Sequence, residues 1–320
     1  MTPQAPAQTV VRATEWLLTD PGRLDRTVTA LPPPAPGEVL VASRLGAISP
    51  GSERAALHGS SGAGRYPRQP GSLNVVVIME AQDGTLVGER GIATLGHRDF
   101  SLLPYHRFLR IPPGVPDEVA LLGVLAADAR HAVDTADPRP GEECLVLGGG
   151  ILGALTAWEA VLHTRGPVRI VERRADRRAL LAGIRWPGEV AVVEDTGRGE
   201  VQSAFDCAGS ASGFRSLQGA VQSGGSIVIA ADRSHEEYVL SRDFFAKGLF
   251  LGKSGSHPQL GAFLAEYFAR GADLGGLPEA AFADDCPFSE FPHSYLTALL
   301  GPPGAGLLQR VVYPPPRRIG

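Results

Sequence analysis

A phosphate-binding turn is predicted where three glycines stand at G-x-G-x-x-G spacing: Gly148, Gly150 and Gly153. The apolar run 144–147 before them is typical of a buried parallel strand, and a helix is expected from about Ile151 to His163. Glycine allows the tight turn and lets the backbone approach a pyrophosphate closely. The free N–H groups at the start of the helix, among them those of Ile151 and Leu152, would face the phosphates. The stretch therefore predicts a dinucleotide site.

Glu172 is the residue expected to recognise the ribose of that dinucleotide. It ends the second predicted strand, Val168–Val171, and lies 19 residues after Gly153. A carboxylate there accepts hydrogen bonds from the 2′-OH and repels a 2′-phosphate, which favours NAD(H) over NADP(H). Arg173 and Arg174 leave NADP(H) open, because either guanidinium could stack on adenine or attract a 2′-phosphate. A strand–helix–strand unit that binds no nucleotide is the alternative.

His97 and Asp128 are candidates for moving a proton. His97 lies in a polar island, Gly96–Asp99, that follows a predicted strand, and the ordinary imidazole pKa near 6.5 suits a proton shuttle. Asp128 brings a carboxylate to a mostly apolar predicted helix, and His131 lies one turn further on. An Asp–His pair across that helix is possible. A surface loop histidine and two solvated helix residues are the alternative interpretations.

Lys253 is a candidate for binding an anion. It is one of two lysines in the chain, and it follows the last predicted strand of the parallel sheet. Ligands of such sheets bind at the carboxyl ends of the strands, so a cofactor phosphate or a substrate anion would suit this position. His257 is close by in sequence and is a less constrained candidate for substrate binding.

The composition favours an ordinary globular protein with a small-molecule partner. The 320 residues correspond to about two domains, and 43% of them are hydrophobic and 20% charged. A formal charge of −4 argues against binding to nucleic acid or to an anionic membrane. No apolar run approaches the length of a membrane span, and the first residues show no signal-peptide pattern. A cytoplasmic location is therefore expected.

The predicted elements place a β-rich region before a parallel α/β region. Short strands typical of a partly open barrel are expected in the first part of the chain at 10–18, 39–47 and 75–79, and residues 102–111 close this region. A helical period from Val119 to Val133 leads to alternating strands and helices: 203–207, 214–222, 226–231 and 249–252. Helices near 260–267 and 291–299 precede a last strand, Val311–Tyr313, expected to return to the first domain. We therefore predict an α/β fold, a Rossmann doubly wound parallel sheet plus a β-rich domain, with domains 1–125 and 126–256 and a return segment 257–320.

Several segments match landmarks of one known family: Gly37–Val41, Ala47–Glu53, Gly88–Arg90, Phe205–Gly209, Ser223–Val228 and Phe288–His293. On these segments and its order of domains, the whole chain resembles the medium-chain dehydrogenase/reductase family. The resemblance implies a GroES-like barrel domain, a Rossmann domain and NAD(P)-dependent oxidoreductase chemistry. Within the family, the I-S-P-G-S-E loop, Gly96–His97 and Lys253–Ser254 look most like the bacteriochlorophyllide a dehydrogenase and threonine dehydrogenase-like branch.

The zinc ligands of the family are missing from this chain. Zinc-dependent members place a cysteine where this chain has Ser49 and a His-Glu pair where it has Ser72-Leu73, and their third ligand position falls near Val124. Residues 90–101 lack the cysteines of the structural zinc lobe. The cysteines of the chain lie far apart, without a C-x-x-C pair: Cys144, Cys207 and Cys286. A hydroxyl is a poor substitute for thiolate or imidazole, so we expect no catalytic zinc.

The resemblance also implies roles for further residues. Ser52 stands where family members carry the hydroxyl of their proton relay, and Glu53 where an acid is usual; each could instead cap a turn. Asp128 stands where members bring a small hydroxyl residue to the nicotinamide. Ser49 is expected near the substrate. Tyr66 is a separate candidate from its place in the Gly/Ser/Pro-rich loop 58–72: it could cover the substrate pocket or equally be a packing residue. Backbone contacts to the cofactor are expected from four residues: Ala208 and Gly209 beside the adenosine, and Ala230 and Ala231 beside the nicotinamide.

These expectations combine into one function and two alternatives. The first is a zinc-independent oxidoreductase that moves a hydride between NAD(H) and a secondary alcohol or ketone of a specialised metabolite, acting as a homodimer. The second is reduction of an activated C=C bond with NADPH, as zinc-free enoyl or quinone reductases of the family do. The third is a catalytically silent nucleotide-binding protein, since the sequence shows no decisive acid–base pair.

Overall fold

The computed structural model describes residues 10–59, 65–197, 201–231, 236–271, 273–301 and 304–316, and it divides the chain into two units. The first unit comprises Met1–Leu121, Asp284–Pro303 and Gln309–Gly320, and the second comprises Leu122–Ala283 and Gly304–Leu308. Residues 257–283, expected in the return segment, cluster with the second unit. One reason is local packing, because Leu264 and Tyr267 pack so closely over Gly123 that a Cβ there would have no room.

The element bounds follow in chain order. The strands are β1 (Val11–Asp20), β2 (Arg23–Leu31), β3 (Glu38–Ile48), β4 (Leu73–Ala81), β5 (Arg90–Ala93), β6 (Phe100–Pro104), β7 (Leu109–Arg110), β8 (Cys144–Leu147), β9 (Val168–Val171), β10 (Val190–Val193), β11 (Val201–Asp206), β12 (Val221–Ile229), β13 (Phe250–Lys253), β14 (Asp284–Pro287) and β15 (Gln309–Val312). The α-helices are α1 (Pro50–Leu57), α2 (Asp117–Ala136), α3 (Ile151–Thr164), α4 (Ala175–Ala182), α5 (Ala211–Ala220), α6 (Arg242–Ala246), α7 (Leu260–Ala269), α8 (Leu277–Ala281) and α9 (Phe291–Leu300). Of the helices described, none is both long and apolar enough to cross a membrane.

Strand β3 is the centre of the first unit. Most of its residues are buried, and it pairs antiparallel with β4, β6 and β15. The sheet has the order β14-β15-β3-β4-β5-β7, with β6 joined through β3, while β1 and β2 form a separate hairpin. Val311 pairs with Gly46 and Val312 with Leu45. The prediction that the last strand returns to the first unit is therefore confirmed.

Four elements of the first unit were not predicted from the sequence: β2, β5, β14 and α1. Strand β2 is exposed or half-buried along its whole length, so its sequence lacks the alternation that marks a strand with one buried face. Helix α1 begins within the I-S-P-G-S-E segment, residues 48–53, which was expected to form a loop. Pro50 suits its first position, because that residue needs no N–H donor, and Ser49 precedes it in an extended conformation. Ser52 and Glu53 therefore stand on the first turn of a helix.

The second unit contains a six-stranded parallel sheet in the order β10-β9-β8-β11-β12-β13. Its strand β8 has every residue buried, as a strand covered on both faces requires. From β8 the chain builds β9 and β10 on one side, and then β11, β12 and β13 on the other. The reversal between β8 and β11 is the switch point where doubly wound sheets bind ligands. This topology confirms the predicted fold class.

Candidate active site

The turn between β8 and α3 has the conformation expected of a phosphate-binding loop. Gly148 adopts φ +99°, which side chains rarely tolerate, and its N–H donates to the Val171 carbonyl at 2.8 Å. A Cβ on Gly153 would overlap the Gly148 carbonyl oxygen, whereas a Cβ on Gly150 would meet open space. Within the described residues, four N–H groups at the start of α3 have no acceptor: those of Gly150, Ile151, Leu152 and Gly153. Such free donors at a helix N-terminus are suited to a diphosphate.

Glu172 contacts this turn and already has three hydrogen-bond partners. Its Oε2 accepts the N–H of Gly149 at 3.0 Å and lies 3.3 Å from the Arg177 guanidinium, and its Oε1 accepts the N–H of Arg174 at 2.9 Å. The side chain is 8% exposed. Because a carboxylate has about four lone-pair positions, about one, on Oε1, is left for a ribose hydroxyl. Glu172 therefore supports the phosphate-binding turn and keeps limited capacity to bind a sugar.

Arginines surround the carboxyl end of β9. Arg174 pairs with Asp176 at 2.5 Å, and Arg178 donates to the backbone carbonyls of Glu172 and Arg173 at 2.9 and 2.6 Å. The side chain of Arg173 is exposed and has no partner in the part of the chain that the structure describes. A 2′-phosphate would therefore find one uncommitted guanidinium here, that of Arg173.

Asp206, which the sequence analysis did not single out, orders the segments after β11 and β12. It is fully buried; its Oδ1 accepts the N–H groups of Ala208 and Gly209, both at 3.0 Å, and its Oδ2 accepts the Tyr238 hydroxyl at 2.6 Å. Its backbone carbonyl accepts two more N–H groups, both at 2.9 Å: those of Ala230 and Ala231. The N–H groups expected to contact the cofactor are thus occupied by Asp206. An acid that ends an apolar strand was the signal available in the sequence.

A polar loop follows β13 in the second unit. Lys253 is exposed at the carboxyl end of that strand, beside Ile229 of β12. The Asp128 carboxylate accepts the N–H of His257 at 3.3 Å, and Nδ1 of His131 donates to the Gly255 carbonyl at 3.0 Å. Burial, and then the neighbouring His131, lower the pKa of His257. Asp128 and His131 both hold this loop against α2, which gives each a structural partner.

Glu53 and His97 form a buried pair in the first unit. Nε2 of His97 lies 2.9 Å from Oε2 of Glu53, and the two side chains are 1% and 4% exposed. Oε1 of Glu53 also accepts the N–H of Ser49 at 2.8 Å, so the capping role considered for Glu53 is present. The surface-loop interpretation of His97 is wrong, because its ring is enclosed. The two residues are 44 positions apart, and no local spacing in the sequence could reveal the pair.

Aromatic rings and a glycine enclose the pair. The His97 ring centroid lies 4.4 Å from that of Phe291 and 5.9 Å from that of Tyr295. A Cβ on Gly71 would overlap the imidazole. Burial, and then the Glu53 carboxylate, raise the pKa of Tyr295, whose hydroxyl makes no hydrogen bond of normal geometry with the described residues. The Glu53–His97 contact therefore lies in surroundings of low dielectric, where an electrostatic hydrogen bond is strengthened.

The hydroxyl groups expected near the substrate differ in their surroundings. Ser49 and Ser52 are half-buried at the start of α1, and neither hydroxyl has a hydrogen-bond partner among the residues that the structure describes. Tyr66 belongs to the Gly/Ser/Pro-rich loop 58–72, of which residues 60–64 lie outside the described residues. Its hydroxyl donates to the Ala56 carbonyl at 2.9 Å, and its ring packs on the core of the first unit. These contacts favour the packing interpretation of Tyr66.

The residues at the family's zinc positions do not fit a zinc ion. Ser49 and Ser72 offer hydroxyl groups, and Leu73 is a buried apolar residue of β4. Burial raises the pKa values of Cys144 and Cys207 to about 12, so these thiols stay protonated, whereas zinc binds the thiolate. Across the described ranges, no three His, Cys, Asp or Glu side chains are grouped so that they could hold a metal ion.

Comparison with known proteins gives one curated relative and many similar folds. The 2-desacetyl-2-hydroxyethyl bacteriochlorophyllide A dehydrogenase of Cereibacter sphaeroides is 30% identical over 244 residues, which cover 69% of this chain and 74% of the relative. No protein-family model matches the chain. Identity at this level over most of both chains indicates common descent.

Solved structures show the same fold at lower identity. A Sinorhizobium meliloti protein assigned to the zinc-binding dehydrogenases and bound to NADP superposes with a TM-score of 0.79 at 19% identity, covering 94% of this chain and 99% of that one. The 2R,3R-butanediol dehydrogenase of Bacillus subtilis superposes with a TM-score of 0.76 at 15% identity, with coverage of 94% and 99%. With its Rossmann unit, its strand-rich unit and this curated relative, the chain belongs to the medium-chain dehydrogenase/reductase family of NAD(P)-dependent oxidoreductases.

Proposed function

We propose that the chain is a zinc-independent enzyme that transfers a hydride between NAD(H) and a secondary alcohol or ketone of a specialised metabolite. The observation that carries the proposal is the turn at Gly148–Gly153, whose free N–H groups suit a diphosphate, in a chain with hydroxyl and apolar residues at the zinc positions. The name of the Cereibacter sphaeroides relative describes dehydrogenation of a bacteriochlorophyllide that carries a hydroxyethyl group. This supports an alcohol as the group that is oxidised.

The reaction needs a partner for the hydroxyl proton. Oxidation of the alcohol breaks its C–H bond and releases the O–H proton, and the bound cofactor supplies the hydride acceptor. Ser52 is the proposed relay for that proton, because its half-buried hydroxyl has no competing partner among the described residues. Ser49, one turn earlier, is proposed to bind the substrate oxygen. Lys253 is proposed to bind a phosphate or a substrate anion, since its ammonium group is exposed at the carboxyl edge of the sheet.

The choice of cofactor rests on Glu172. The position left on its Oε1 suits a ribose 2′-OH, and a buried carboxylate repels a 2′-phosphate, so NAD(H) is the proposed cofactor. The uncommitted Arg173 supports the second candidate, NADPH-dependent reduction of a C=C bond, because its guanidinium could pair with the 2′-phosphate.

Titration of NADH and NADPH, followed by fluorescence, tests the cofactor proposal. Wild type is expected to bind NADH more tightly, and Glu172→Ala to weaken NADH about tenfold more than NADPH, the value of one hydrogen bond to a charged group. Arg173→Ala is the matched control and should leave NADH binding unchanged. Tighter binding of NADPH that is lost in Arg173→Ala would favour the C=C reductase, and binding of neither would contradict both.

Turnover tests the reaction and the absence of zinc together. A panel of secondary alcohols and ketones should include a substrate that is converted in the presence of a chelator, and metal analysis should find no stoichiometric zinc. One bound zinc per chain would contradict zinc independence. Dinucleotide binding without turnover of any alcohol, ketone or activated alkene would instead favour a catalytically silent protein.

A cytoplasmic homodimer is part of the same proposal. Among the described strands β13 pairs on one side only, and its Phe250 and Leu251 are exposed apolar residues. Such an edge pairs readily with a second copy about a two-fold axis. The three cysteines are free thiols, which suits a reducing compartment. A monomeric mass by light scattering, at concentrations where the protein is active, would contradict the dimer.

A further inference from the structure

We infer that the contact between Glu53 and His97 connects two segments of the first unit: the start of α1, which carries Ser49 and Ser52, and the turn at Pro70–Gly71. In zinc-dependent relatives a metal ion connects the corresponding segments, so the pair takes over this structural role. The inference concerns contacts within the first unit, and it goes beyond the proposed function because it assigns Glu53 and His97 as positioning residues. Each is almost fully enclosed, at 4% and 1% exposure, so neither presents a surface to a substrate.

Glu53 fixes the first turn. Both of its carboxylate oxygens are committed, Oε1 to the N–H of Ser49 at 2.8 Å and Oε2 to His97 at 2.9 Å. Ser52 lies between these anchored residues on the first turn of α1. A carboxylate held at both oxygens cannot rotate freely, so the backbone that carries the Ser52 hydroxyl is restrained at both ends.

His97 fixes the turn at Pro70–Gly71. Its N–H donates to the Pro70 carbonyl at 3.2 Å, and its ring covers Gly71 so closely that a side chain there would overlap it. Gly71 and Gly96 have φ values of +82° and +71°, and a Cβ on Gly96 would stand 3.1 Å from the Pro70 carbonyl oxygen. Glycine at both positions thus lets the two segments approach and the imidazole enter.

The two segments that the pair joins are the ones that a zinc ion would join. Zinc-dependent members carry a cysteine at the position of Ser49 and a His-Glu pair directly after the position of Gly71. In this chain the connection is made by the side chains of Glu53 and His97. The aromatic rings of Phe291 and Tyr295 exclude water from the contact, so loss of either partner would leave a buried polar atom of the other without its hydrogen bond.

Hydrogen exchange followed by mass spectrometry tests the tie directly. In Glu53→Ala and in His97→Ala, exchange is expected to rise at least about tenfold in peptides from both segments, 46–58 and 68–79. The double variant should exchange no faster than the faster single variant, because the two residues act as one unit. Glu53→Gln should retain part of the protection, since its amide can still accept from Ser49 and donate to the imidazole. If the alanine variants do not fold, Glu53→Gln alone decides. Faster exchange in both segments would support the tie, and unchanged exchange in both would contradict it.

Matched controls separate a local tie from general destabilisation. Glu159→Ala removes a buried carboxylate of the second unit, which pairs with Arg270 at 3.0 Å, and should leave exchange in 46–58 and 68–79 unchanged. With an alcohol that the panel identifies as a substrate, Glu53→Ala should lower kcat at least about tenfold and leave the affinity for NADH unchanged. Glu53→Gln should recover part of the lost kcat.

The outcomes that overturn the inference are distinct from those that overturn the proposed function. Unchanged exchange at 68–79 in Glu53→Ala, or effects that simply add in the double variant, would show that the pair does not join the two turns. Unchanged kcat in a folded Glu53→Ala protein would show that the tie positions nothing used in the reaction. Absence of any substrate would overturn the proposed function, while hydrogen exchange would still decide whether the tie exists.

Discussion

The two units of the molecule differ in how they satisfy their buried polar groups. Within the described residues, eight buried side-chain atoms make no hydrogen bond of normal geometry, and all eight belong to the first unit: Trp16 Nε1, Ser43 Oγ, Asn74 Nδ2, Glu89 Oε2, His97 Nδ1, Arg98 Nε, Tyr295 Oη and Tyr313 Oη. In the second unit the buried carboxylates are paired. Asp206 accepts three hydrogen bonds on its side chain, and Glu159 binds Arg270 at 3.0 and 3.1 Å.

The second unit is therefore a regular scaffold, whereas the first unit departs from the usual pattern of satisfied buried polar groups. The second unit follows the general rule that buried polar groups are hydrogen-bonded, and its sequence also follows the pattern of a dinucleotide-binding fold. The first unit breaks the rule at several places, two of which, His97 and Tyr295, belong to the enclosure around Glu53. Departures from the rule concentrate at functional sites in natural proteins. The first unit is therefore where we expect the chain to differ from its zinc-dependent relatives.

The largest expected effect tests the regularity of the second unit. Gly153→Ala places a Cβ against the Gly148 carbonyl, so the turn must deform. We expect NADH binding to weaken about 100-fold or more, and the free energy of unfolding to fall by about 1–3 kcal/mol. Fluorescence titration and urea unfolding measure the two effects.

Gly150→Ala is the matched control for that turn. Its Cβ would meet open space at a φ of −75°, so the free energy of unfolding should stay within about 0.5 kcal/mol of wild type. NADH binding should still weaken, because a methyl group would stand where the pyrophosphate approaches. If Gly153→Ala bound NADH as tightly as wild type, the turn would not be part of the cofactor site.

A smaller effect compares one tyrosine hydroxyl from each unit. The Tyr238 hydroxyl donates to buried Asp206 at 2.6 Å, whereas the buried Tyr313 hydroxyl makes no hydrogen bond of normal geometry with the described residues. Tyr238→Phe should lower the free energy of unfolding by about 1.5–3 kcal/mol, and Tyr313→Phe should leave it unchanged or raise it by up to about 1 kcal/mol. Urea unfolding measures both. Equal losses in the two variants would show that the units do not differ in this respect.

The smallest effect concerns pH. Burial, offset in part by Arg270, raises the pKa of Glu159 above its usual value of 4.5. The folded state therefore binds this proton more tightly than the unfolded chain. The resulting stabilisation of the folded state is present below pH 4.5 and is lost as the pH rises through the pKa of Glu159 in the folded state. Glu159→Gln cannot ionise, so the advantage of wild type over this variant should shrink as the pH rises above 4.5. An advantage that grew with pH would mean that the pairing with Arg270 outweighs burial.

Local sequence patterns predicted the scaffold well because the interactions behind them are local. Strand β8, the glycine turn and α3 are adjacent in the chain, and their geometry is set by residue types at fixed short spacings. Strand β2 was missed, because a strand with no buried face carries no alternating pattern. Helix α1 was expected as loop, because its short run after Pro50 has little helical periodicity.

The sequence by itself determined the family, the alternation of strands and helices around the glycine turn, the position of the phosphate-binding turn and the replacement of the family's zinc ligands. Only the tertiary structure decided that Glu53 meets His97, that Glu172 is already engaged by Gly149, and that Asp206 occupies the N–H groups expected to face the cofactor. The physical reason is the same in each case. A hydrogen bond between residues brought together from separate strands and turns depends on the folded path of the chain, and leaves no periodic trace in a single sequence.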